Sequence, residues 1–389
     1  MITTINNEHK ELNFSSEREQ SQVCLNSAEH EKNQGRKVLN VPNLRFPEFQ
    51  GEWVTYKIKD VLSIGNGRDY KHLNNGEIPV FGTGGYMTSV DECLYDGETT
   101  FIGRKGSINK PFYYNGKFWT VDTLFYTHSF NGITPKFTYC LFQTINWLKY
   151  NEASGVPSLS KDTIEKIKIN IPGLEEQNKI AKLLSLLDER IATQNKIIED
   201  LKMLKYAISK KLLCNDKWTT YKIQDIAEIG RGRVISSIEI DRQKHPLYPV
   251  YSSQTSNDGI MGYLDNYMFD GEYITWTTDG ANAGTVFYRK GKFNCTNVCG
   301  TLKIQPKFDC YFVSLVLQQA TQKYVSSNLA NPKLMNNTMA SIKIRMPNIE
   351  TQKQLSKVFQ ALDGCLFIHQ RTCEMYLKEK QYLLRQMFI

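Results

Sequence analysis

The chain has 389 residues, 41% of them hydrophobic, which is enough for two or three domains with apolar cores. Its 48 basic and 40 acidic residues give a net charge of +8, which suits either an ordinary surface or a polyanionic partner. The nine cysteines are irregularly spaced, and no segment reads as a signal peptide or a membrane span. We therefore expect a cytoplasmic protein and exclude a secreted or membrane-embedded one.

The sequence contains an internal repeat that occurs twice. The segment Trp53 to Ile58 returns at Trp218 to Ile223, 165 positions later, and Gly116-Lys117-Phe118 returns 175 positions later. We attribute the growing shift to extra residues of the second copy near Ser252 to Asp258. A long period that occurs only twice indicates a duplicated domain and not a solenoid.

The predicted elements follow in chain order. Residues 1–40 are polar and nearly free of aromatic residues, which predicts a disordered tail. Residues 41–172 and 216–347 carry short aromatic and β-branched runs cut by Gly, Asn and Asp, which predicts two similar domains of mostly β structure in the α+β class. Within the first domain, Asn115-Gly116 predicts a hairpin turn.

A long amphipathic helix is predicted after each domain, over residues 173–215 and 348–389. Apolar residues recur in steps of four and three for more than four heptads, which is typical of a coiled coil. Gln194 and Lys205 interrupt the first helix where His369 and Lys380 interrupt the second. We expect the two helices to pair with each other as an antiparallel coiled coil; parallel pairing or docking on another protein are the alternatives. The predicted seam consists of Leu184, Leu187, Ile191, Ile198, Leu201, Phe359, Leu362, Leu366, Cys373 and Tyr376.

The loops of the first domain place cations and hydroxyl groups beside glycines. Glycine allows close approach of a ligand, and Arg and Lys can meet phosphates or guanine. The alternative for any one loop is that its glycines only make tight turns. The candidate DNA contacts of this domain are Arg68, Tyr70, Lys71, Thr83, Tyr86, Arg104, Lys105, Ser107 and Asn109.

The second domain keeps the strand-forming runs but changes the loops. Thr83-Gly84 gives way to a longer stretch of Ser, Gln and Asn, and Arg104-Lys105 gives way to Thr278-Asp279. A common frame with altered loops is what two readers of different sequences would need. The candidate DNA contacts here are Arg231, Arg233, Ser252, Ser253, Gln254, Thr255, Thr278 and Asn282.

A further pair of segments precedes the two long helices. Ser158, Ser160 and Lys161 in the first copy, and Lys333 and Asn336 in the second, could hold a phosphate of DNA. Helix capping within a structural turn explains the same residues equally well.

Catalytic and metal-binding patterns are missing from the sequence. It contains no methyltransferase motif of the Asn-Pro-Pro-Tyr type, no phosphate-binding loop and no paired nuclease carboxylates followed by a spaced lysine. The six histidines are scattered, and Cys295 and Cys299 have no second ligand pair for zinc. We therefore expect a binding protein without catalytic residues, metal or cofactor of its own.

The order of these parts resembles the specificity subunit of type I restriction–modification systems. The resemblance is carried by Leu44 to Phe49, by Gly155 to Lys161, by Ile171-Pro172 with Glu176-Gln177, and by Leu187-Asp188 with Leu362-Asp363 in the long helices. It extends over nearly the whole chain after residue 41. In the second copy, Asn331-Pro332-Lys333-Leu334 departs from the Gly-Val-Pro-Ser-Leu pattern.

The resemblance implies a function for each part. The two domains would be target recognition domains, each reading one half of a bipartite double-stranded DNA site, and the antiparallel coiled coil would set the spacer. Two modification subunits would methylate adenine with S-adenosylmethionine, and restriction subunits would use ATP and Mg²⁺. The alternative is a coiled-coil scaffold with two duplicated protein-binding domains.

Overall fold

The computed structural model describes residues 40–213, 216–326 and 331–389. Apart from Asn40, the predicted tail over residues 1–40 lies outside these ranges. The chain divides into two compact units, one made of residues up to Leu186 together with Glu379–Ile389, and the other of Leu187–Lys378. Each unit contains one copy of the duplicated domain.

The described residues of the first unit form eight strands, six of which make up one sheet. The strands are β1 (Val54–Lys57), β2 (Ser63–Asn66), β3 (Asn75–Gly82), β4 (Gly85–Val90), β5 (Tyr95–Gly103), β6 (Phe112–Thr120), β7 (Leu124–His128) and β8 (Lys168–Ile171). The helices are α1 (Ile58–Val61), α2 (Pro135–Phe142), α3 (Lys161–Lys166) and the start of α4 (Leu174–Leu212). The large sheet has the order β2-β7-β5-β6-β3-β4, and β1 pairs with β8 separately.

The second unit repeats this topology. Its strands are β9 (Thr219–Lys222), β10 (Ala227–Arg231), β11 (Tyr248–Tyr251), β12 (Ile260–Leu264), β13 (Phe269–Thr277), β14 (Val286–Cys295), β15 (Cys299–Ile304) and β16 (Lys343–Met346). Its helices are α5 (Ser237–Asp241), α6 (Cys310–Ala320), α7 (Asn336–Ser341) and most of α8 (Ile349–Gln386). The sheet order β10-β15-β13-β14-β11-β12 matches that of the first unit strand for strand, which confirms the predicted α+β class and the duplication.

Buried glutamines fix the start of both long helices. The Gln177 amide, fully buried, donates to the carbonyl oxygens of Gly132 and Pro172, both at 2.9 Å. Its equivalent Gln352 donates to the carbonyl oxygen of Pro347 at 2.8 Å and accepts from the Asp309 amide at 3.0 Å. Each proline ends a strand segment and each glutamine ties the following helix to its own domain.

The ends of the helices also pack on the domains. In the first unit, Phe388 lies against Trp53 and Phe137, with ring centroids 6.2 and 5.3 Å apart. In the second unit, Leu213 takes the place of Phe388 in a core that contains Trp218 and Phe312. The cores therefore use equivalent positions in both copies.

Helices α4 and α8 run antiparallel within the second unit. Arg190 contacts Tyr376, the Cys373 thiol lies 3.4 Å from the Asn195 side-chain oxygen, and the Lys205 ammonium group pairs with Asp363. Because partners late in α4 meet partners early in α8, only an antiparallel arrangement fits, and the predicted coiled coil is confirmed. The ten predicted seam residues are each buried or half-buried.

Two expectations about the strands are wrong. Asn115-Gly116 does not form a hairpin, because β6 runs through it and Gly116 faces Gly97 across the ladder. Both glycines have positive φ, which lets the paired strands bend there without turning back. The extra residues of the second copy are also not confined to Ser252 to Asp258, since Tyr251, which is equivalent to Phe81, is already shifted by 170 positions. Part of the insertion lies around α5.

Candidate nucleic-acid interface

Loops from four parts of the first domain meet at one end of the six-stranded sheet. The Arg68 amide donates to the Thr120 carbonyl oxygen at 2.8 Å, and the Arg104 amide donates to that of Thr123 at 2.8 Å. The Leu159 amide donates to the Arg104 carbonyl oxygen at 2.9 Å. These bonds bring candidate segments that are far apart in the sequence into one cluster.

A groove of about 810 Å³ lies within this cluster. Tyr70, Lys71 and Thr83 line it, next to Asp69 and Asp122. Lys71 is exposed, whereas Tyr70 and Thr83 are half-buried. The groove therefore combines hydroxyl groups and a cation that can approach a ligand directly.

Four candidate cations of the first domain lack an acidic partner in the part of the chain that the structure describes. Among the described residues, Arg68, Lys71, Arg104 and Lys105 form no salt bridge. The Arg104 guanidinium donates only to the Asp122 carbonyl oxygen, at 3.3 Å, and lies 5.9 Å from the centre of the Phe125 ring. Exposed cations without internal partners are suited to phosphates or guanine edges.

Other candidates of the first domain have structural roles. Ser160 caps α3 by accepting from the Thr163 amide at 3.2 Å, and its hydroxyl donates to Glu152 at 2.7 Å. Hydrogen bonds from Thr163 and then Ser160 hold the pKa of Glu152 below its usual range. Lys161 lies 3.6 Å from Glu165 in the same helix. These contacts favour the capping interpretation for Ser160 and Lys161.

The remaining candidates of this domain differ in exposure. Tyr86 is 64% exposed, and its hydroxyl lies 3.0 Å from that of Ser89. Asn109 is exposed and Ser107 half-buried in the loop after β5. Ser158 bridges to Lys105 through the backbone, so it helps to hold the Arg104-Lys105 loop in place.

The second domain repeats the backbone contacts of the first. The Gly280 amide donates to the Pro332 carbonyl oxygen at 3.0 Å, as the Gly106 amide does to that of Pro157 at 2.8 Å. Asp279 bridges to Lys333 as Lys105 bridges to Ser158. The Asn-Pro-Lys-Leu segment therefore holds the same position as its counterpart, in spite of its different sequence.

The side chains on this common backbone are different. Asp279 stands where the first domain has Lys105, and it lies 3.5 Å from Arg231 and 3.6 Å from Lys333. The Thr278 hydroxyl, fully buried, accepts from Arg231 at 2.9 Å. Arg233 forms a two-pronged salt bridge with Glu239, and its hydrogen bonds keep the pKa of that carboxyl below its usual range. The candidate cations Arg231, Arg233 and Lys333 of the second domain are therefore each paired with a carboxylate.

A longer loop completes the second cluster. The Asn282 amide donates to the Ser253 carbonyl oxygen at 3.1 Å, which joins this loop to the Asp279 segment. Gln254 donates to the Ile260 carbonyl oxygen, Ser252 and Ser253 are half-buried, and Thr255 is exposed.

Asn336, the last candidate of the second domain, lies outside this loop. Its side-chain nitrogen donates to the Gly230 carbonyl oxygen at 3.3 Å, and this bond connects α7 to β10. A structural role fits Asn336 better than phosphate binding.

Sequence reasoning missed three residues of this cluster. Asp279 was not a candidate, although it holds two candidate cations, and neither was Glu239, which pairs with Arg233. Arg289 was also missed; it is 4% exposed and donates to Asp258 at 2.7 Å. A signal for Arg289 existed, because its equivalent in the first copy is the aromatic Tyr114.

Two cysteines lie beside this cluster. The Arg233 amide donates to the Cys295 carbonyl oxygen, and the Gly232 amide donates to that of Cys299. Burial raises the pKa of the Cys299 thiol to about 11 and raises that of Cys295 as well. Both are therefore neutral thiols at physiological pH. No group of three or more potential metal ligands occurs among the described residues.

Known proteins with similar sequences identify the family of this chain. The family described as type I restriction modification DNA specificity domain matches residues 50–203 and again residues 215–374. The chain belongs to this family, and its two copies are two DNA specificity domains of a type I specificity subunit. In the ranges that the structure covers, we find no helix long and apolar enough to cross a membrane.

Individual relatives point to the same family. S.MpnORF201P of Mycoplasma pneumoniae, a candidate type I specificity subunit, is 37% identical over 229 residues, which cover 58% of this chain and 95% of the relative. The type I restriction enzyme MpnII specificity subunit of the same organism is 39% identical over 178 residues, covering 45% of this chain and 53% of the relative. The crystal structure of the type I restriction–modification system S subunit from M. genitalium covers 90% of this chain and 99% of its own, with a TM-score of 0.72 and 17% identity, and shows the fold.

Proposed function

We propose that this subunit reads a bipartite double-stranded DNA site, one half with each domain, and directs partner subunits that methylate adenine and restrict DNA. One observation carries the proposal. On the same backbone frame, the first domain presents Lys105 where the second presents Asp279. Lys105 forms no salt bridge among the described residues, whereas the Asp279 carboxylate pairs with Arg231 and Lys333, so equivalent positions offer DNA different charges and the two domains would prefer different sequences.

This chain would catalyse no reaction of the complex. Its residues bind and orient DNA, and the methyl transfer and DNA cleavage belong to the partner subunits. S-adenosylmethionine, ATP and Mg²⁺ would accordingly bind those subunits. The complex would act in the cytoplasm, where the chromosomal and invading DNA of a bacterial host are found.

Two equivalent grooves support docking of two modification subunits. In the first unit, Gln143, Gln381 and Arg385 line a groove of about 470 Å³. In the second unit, Gln318, Tyr206 and Lys210 line a groove of about 730 Å³. The two sets are equivalent at a shift of 175 positions: Gln143 corresponds to Gln318, Tyr206 to Gln381, and Lys210 to Arg385. Because equivalent surfaces accept equivalent partners, two copies of one subunit fit these grooves.

A gel-shift experiment tests the proposal. The chain is mixed with its modification subunit and with a DNA duplex that carries a methylated motif of the host genome. We expect retardation that an unlabelled duplex with the same motif abolishes and a duplex with a scrambled half-site does not. Assembly with the modification subunit but equal binding to all duplexes would overturn the proposal and favour the protein–protein scaffold.

A further inference from the structure

One loop of the second domain is longer than its equivalent in the first domain. Between the paired residues Phe81 and Tyr86 of the first domain lie four residues, whereas eight lie between the equivalent pair, Tyr251 and Ile260. The longer loop, residues 252–259, contains the Ser, Gln and Asn stretch of the second copy. This loop is therefore a structural difference between the candidate DNA-binding surfaces of the two domains.

This loop has an unusual backbone. Asn257, Asp258 and Gly259 are consecutive residues in the left-handed region, with φ values of 49°, 53° and 81°. Asn, Asp and Gly are the residues that tolerate this region best. Even so, such a run persists only where the surrounding structure holds it in place.

Arg289 holds both ends of the loop. Its guanidinium lies 3.6 Å from the centre of the Tyr251 ring, at the start, and 4.4 Å from that of Phe287. At the far end, it donates to the Asp258 carboxylate at 2.7 Å and to the Asp258 carbonyl oxygen at 2.8 Å. A cation only 4% exposed needs such partners, so the loop and Arg289 stabilise each other.

The first domain uses a different contact at the same place. Arg289 lies two residues before Gly291, which faces Gly271, and Tyr114 lies two residues before Gly116, which faces Gly97. Tyr114 packs on Phe81, the equivalent of Tyr251, with ring centroids 4.9 Å apart. The longer loop and the arginine thus occur together in one copy, and the short loop and an aromatic pair occur in the other.

The loop lies between two functional parts of the second unit. On one side, Asn282 binds the Ser253 carbonyl oxygen and joins the loop to the Asp279 segment. On the other side, Asn257 and Asp258 line a groove of about 600 Å³ together with Ile198 and Cys373 of the coiled coil. Displacement of the loop would therefore alter the DNA site and its position relative to the helices.

We infer that Arg289 is a positioning residue for base recognition in the second half of the DNA site. It fixes residues 252–259 so that the exposed side chains of Thr255 and Ser256 face the DNA. Hydroxyl groups of this kind can bind base edges. The inference rests on the proposed function, and Arg289 does not itself contact DNA.

The test compares variants in the complex with modification subunits, with methylated sites mapped across a genome. Arg289→Met keeps the stem between the two rings but removes the bonds to Asp258. Asp258→Asn weakens the same bond from an exposed side chain, 68% accessible. Lys290→Met, on the neighbouring residue with a 71% exposed side chain, is the matched control.

We expect Arg289→Met to reduce discrimination at the second half-site by about tenfold or more, with the first half-site unchanged. Asp258→Asn should act in the same direction but less strongly, and Lys290→Met should change nothing. A double change combines Arg289→Tyr with replacement of residues 252–259 by the four-residue loop of the first domain. It should recover the thermal stability that Arg289→Met loses, but it should not recover the sequence preference at the second half-site. That result would separate loop positioning from folding.

Other outcomes would overturn the inference. If the wild-type complex methylates a bipartite site and both variants keep a sharp second half, Arg289 does not position the recognition loop. If both variants lose activity equally at every site without any change in motif, the contact serves folding alone. If the wild-type complex shows no sequence preference, the proposed function itself fails.

Discussion

Gln194 and His369 occupy equivalent positions of the two repeats, and they bind each other, with Oε1 and Nδ1 2.7 Å apart. In a pair of equivalent antiparallel helices, a residue meets its own equivalent only where the local two-fold axis crosses the pair. Away from that axis the partners differ, and Lys205 accordingly meets Asp363. The Gln194–His369 contact therefore marks the axis that relates α4 and α8 in the second unit.

We expect this polar pair to set the register of the helices. Gln194→Leu should lower the free energy of unfolding by about 1 kcal/mol, because it leaves a half-buried imidazole without its partner. The double change to Leu at both positions should recover much of that loss. Urea unfolding of the two single variants and the double variant measures the coupling. Strictly additive effects would show that the two side chains do not depend on each other.

The unpaired cations of the first domain should dominate its DNA affinity. Arg104→Ala should cost about 1–3 kcal/mol at the preferred site if the guanidinium contacts guanine. Lys105→Ala should weaken binding to all duplexes and reduce the slope of log K against log salt by about 1. Lys59→Ala, on α1, is the control and should leave both the affinity at the preferred site and the salt slope unchanged. Titrations at several salt concentrations decide this, and unaltered slope and preference in both loop variants would rule out these contacts.

The second domain should respond in the opposite way. Asp279→Asn removes the carboxylate shared by Arg231 and Lys333, so both cations become available to phosphates. We expect tighter binding to unrelated DNA and a salt dependence steeper by about one to two units. Glu272→Gln, which removes a carboxylate 3.1 Å from Lys290 on the sheet, serves as the control. Weaker binding of the Asp279 variant to all DNA would mean that Asp279 supports the fold rather than tuning the site.

Periodic features of this chain were predictable because they repeat. The heptads predicted the coiled coil, and the shift of 175 positions showed that Gln194 and His369 are equivalent, although it did not predict their contact. The glycine-rich loops were also predicted to carry the site, and the structure clusters Lys71, Thr83 and Arg104 at one end of a sheet. Their specific roles as DNA contacts stay predictions.

Contacts between distant segments were not predictable in the same way. Lys105 meets Ser158 across 53 positions, and only the fold brings these loops together. The role of Ser160 as a helix cap could not be separated from phosphate binding, because one hydroxyl suits both. In the sequence, Arg289 looks like an ordinary strand residue, because its partner Asp258 lies 31 positions earlier and only the fold brings the two together.

Helix length should control the spacer between the two half-sites. Adding one heptad after Thr193 and one after Ile368 keeps the apolar seam in phase and lengthens each helix by about 10 Å. Since a turn of about 10 base pairs spans about 34 Å, we expect a spacer longer by about three base pairs. Four residues inserted after Thr193 alone should break the register and abolish methylation. An active heptad variant with the original spacer would show that the helices do not set it.

The central claim is that each domain reads its own half of one DNA site. The most direct measurement maps methylated adenines in a host that carries the complex, first with this chain and then with residues 53–170 exchanged for the equivalent region of a relative. We predict two specified half-sites separated by an unspecified gap, and a change in only one half after the exchange. A continuous motif, or a change in both halves, would contradict the account.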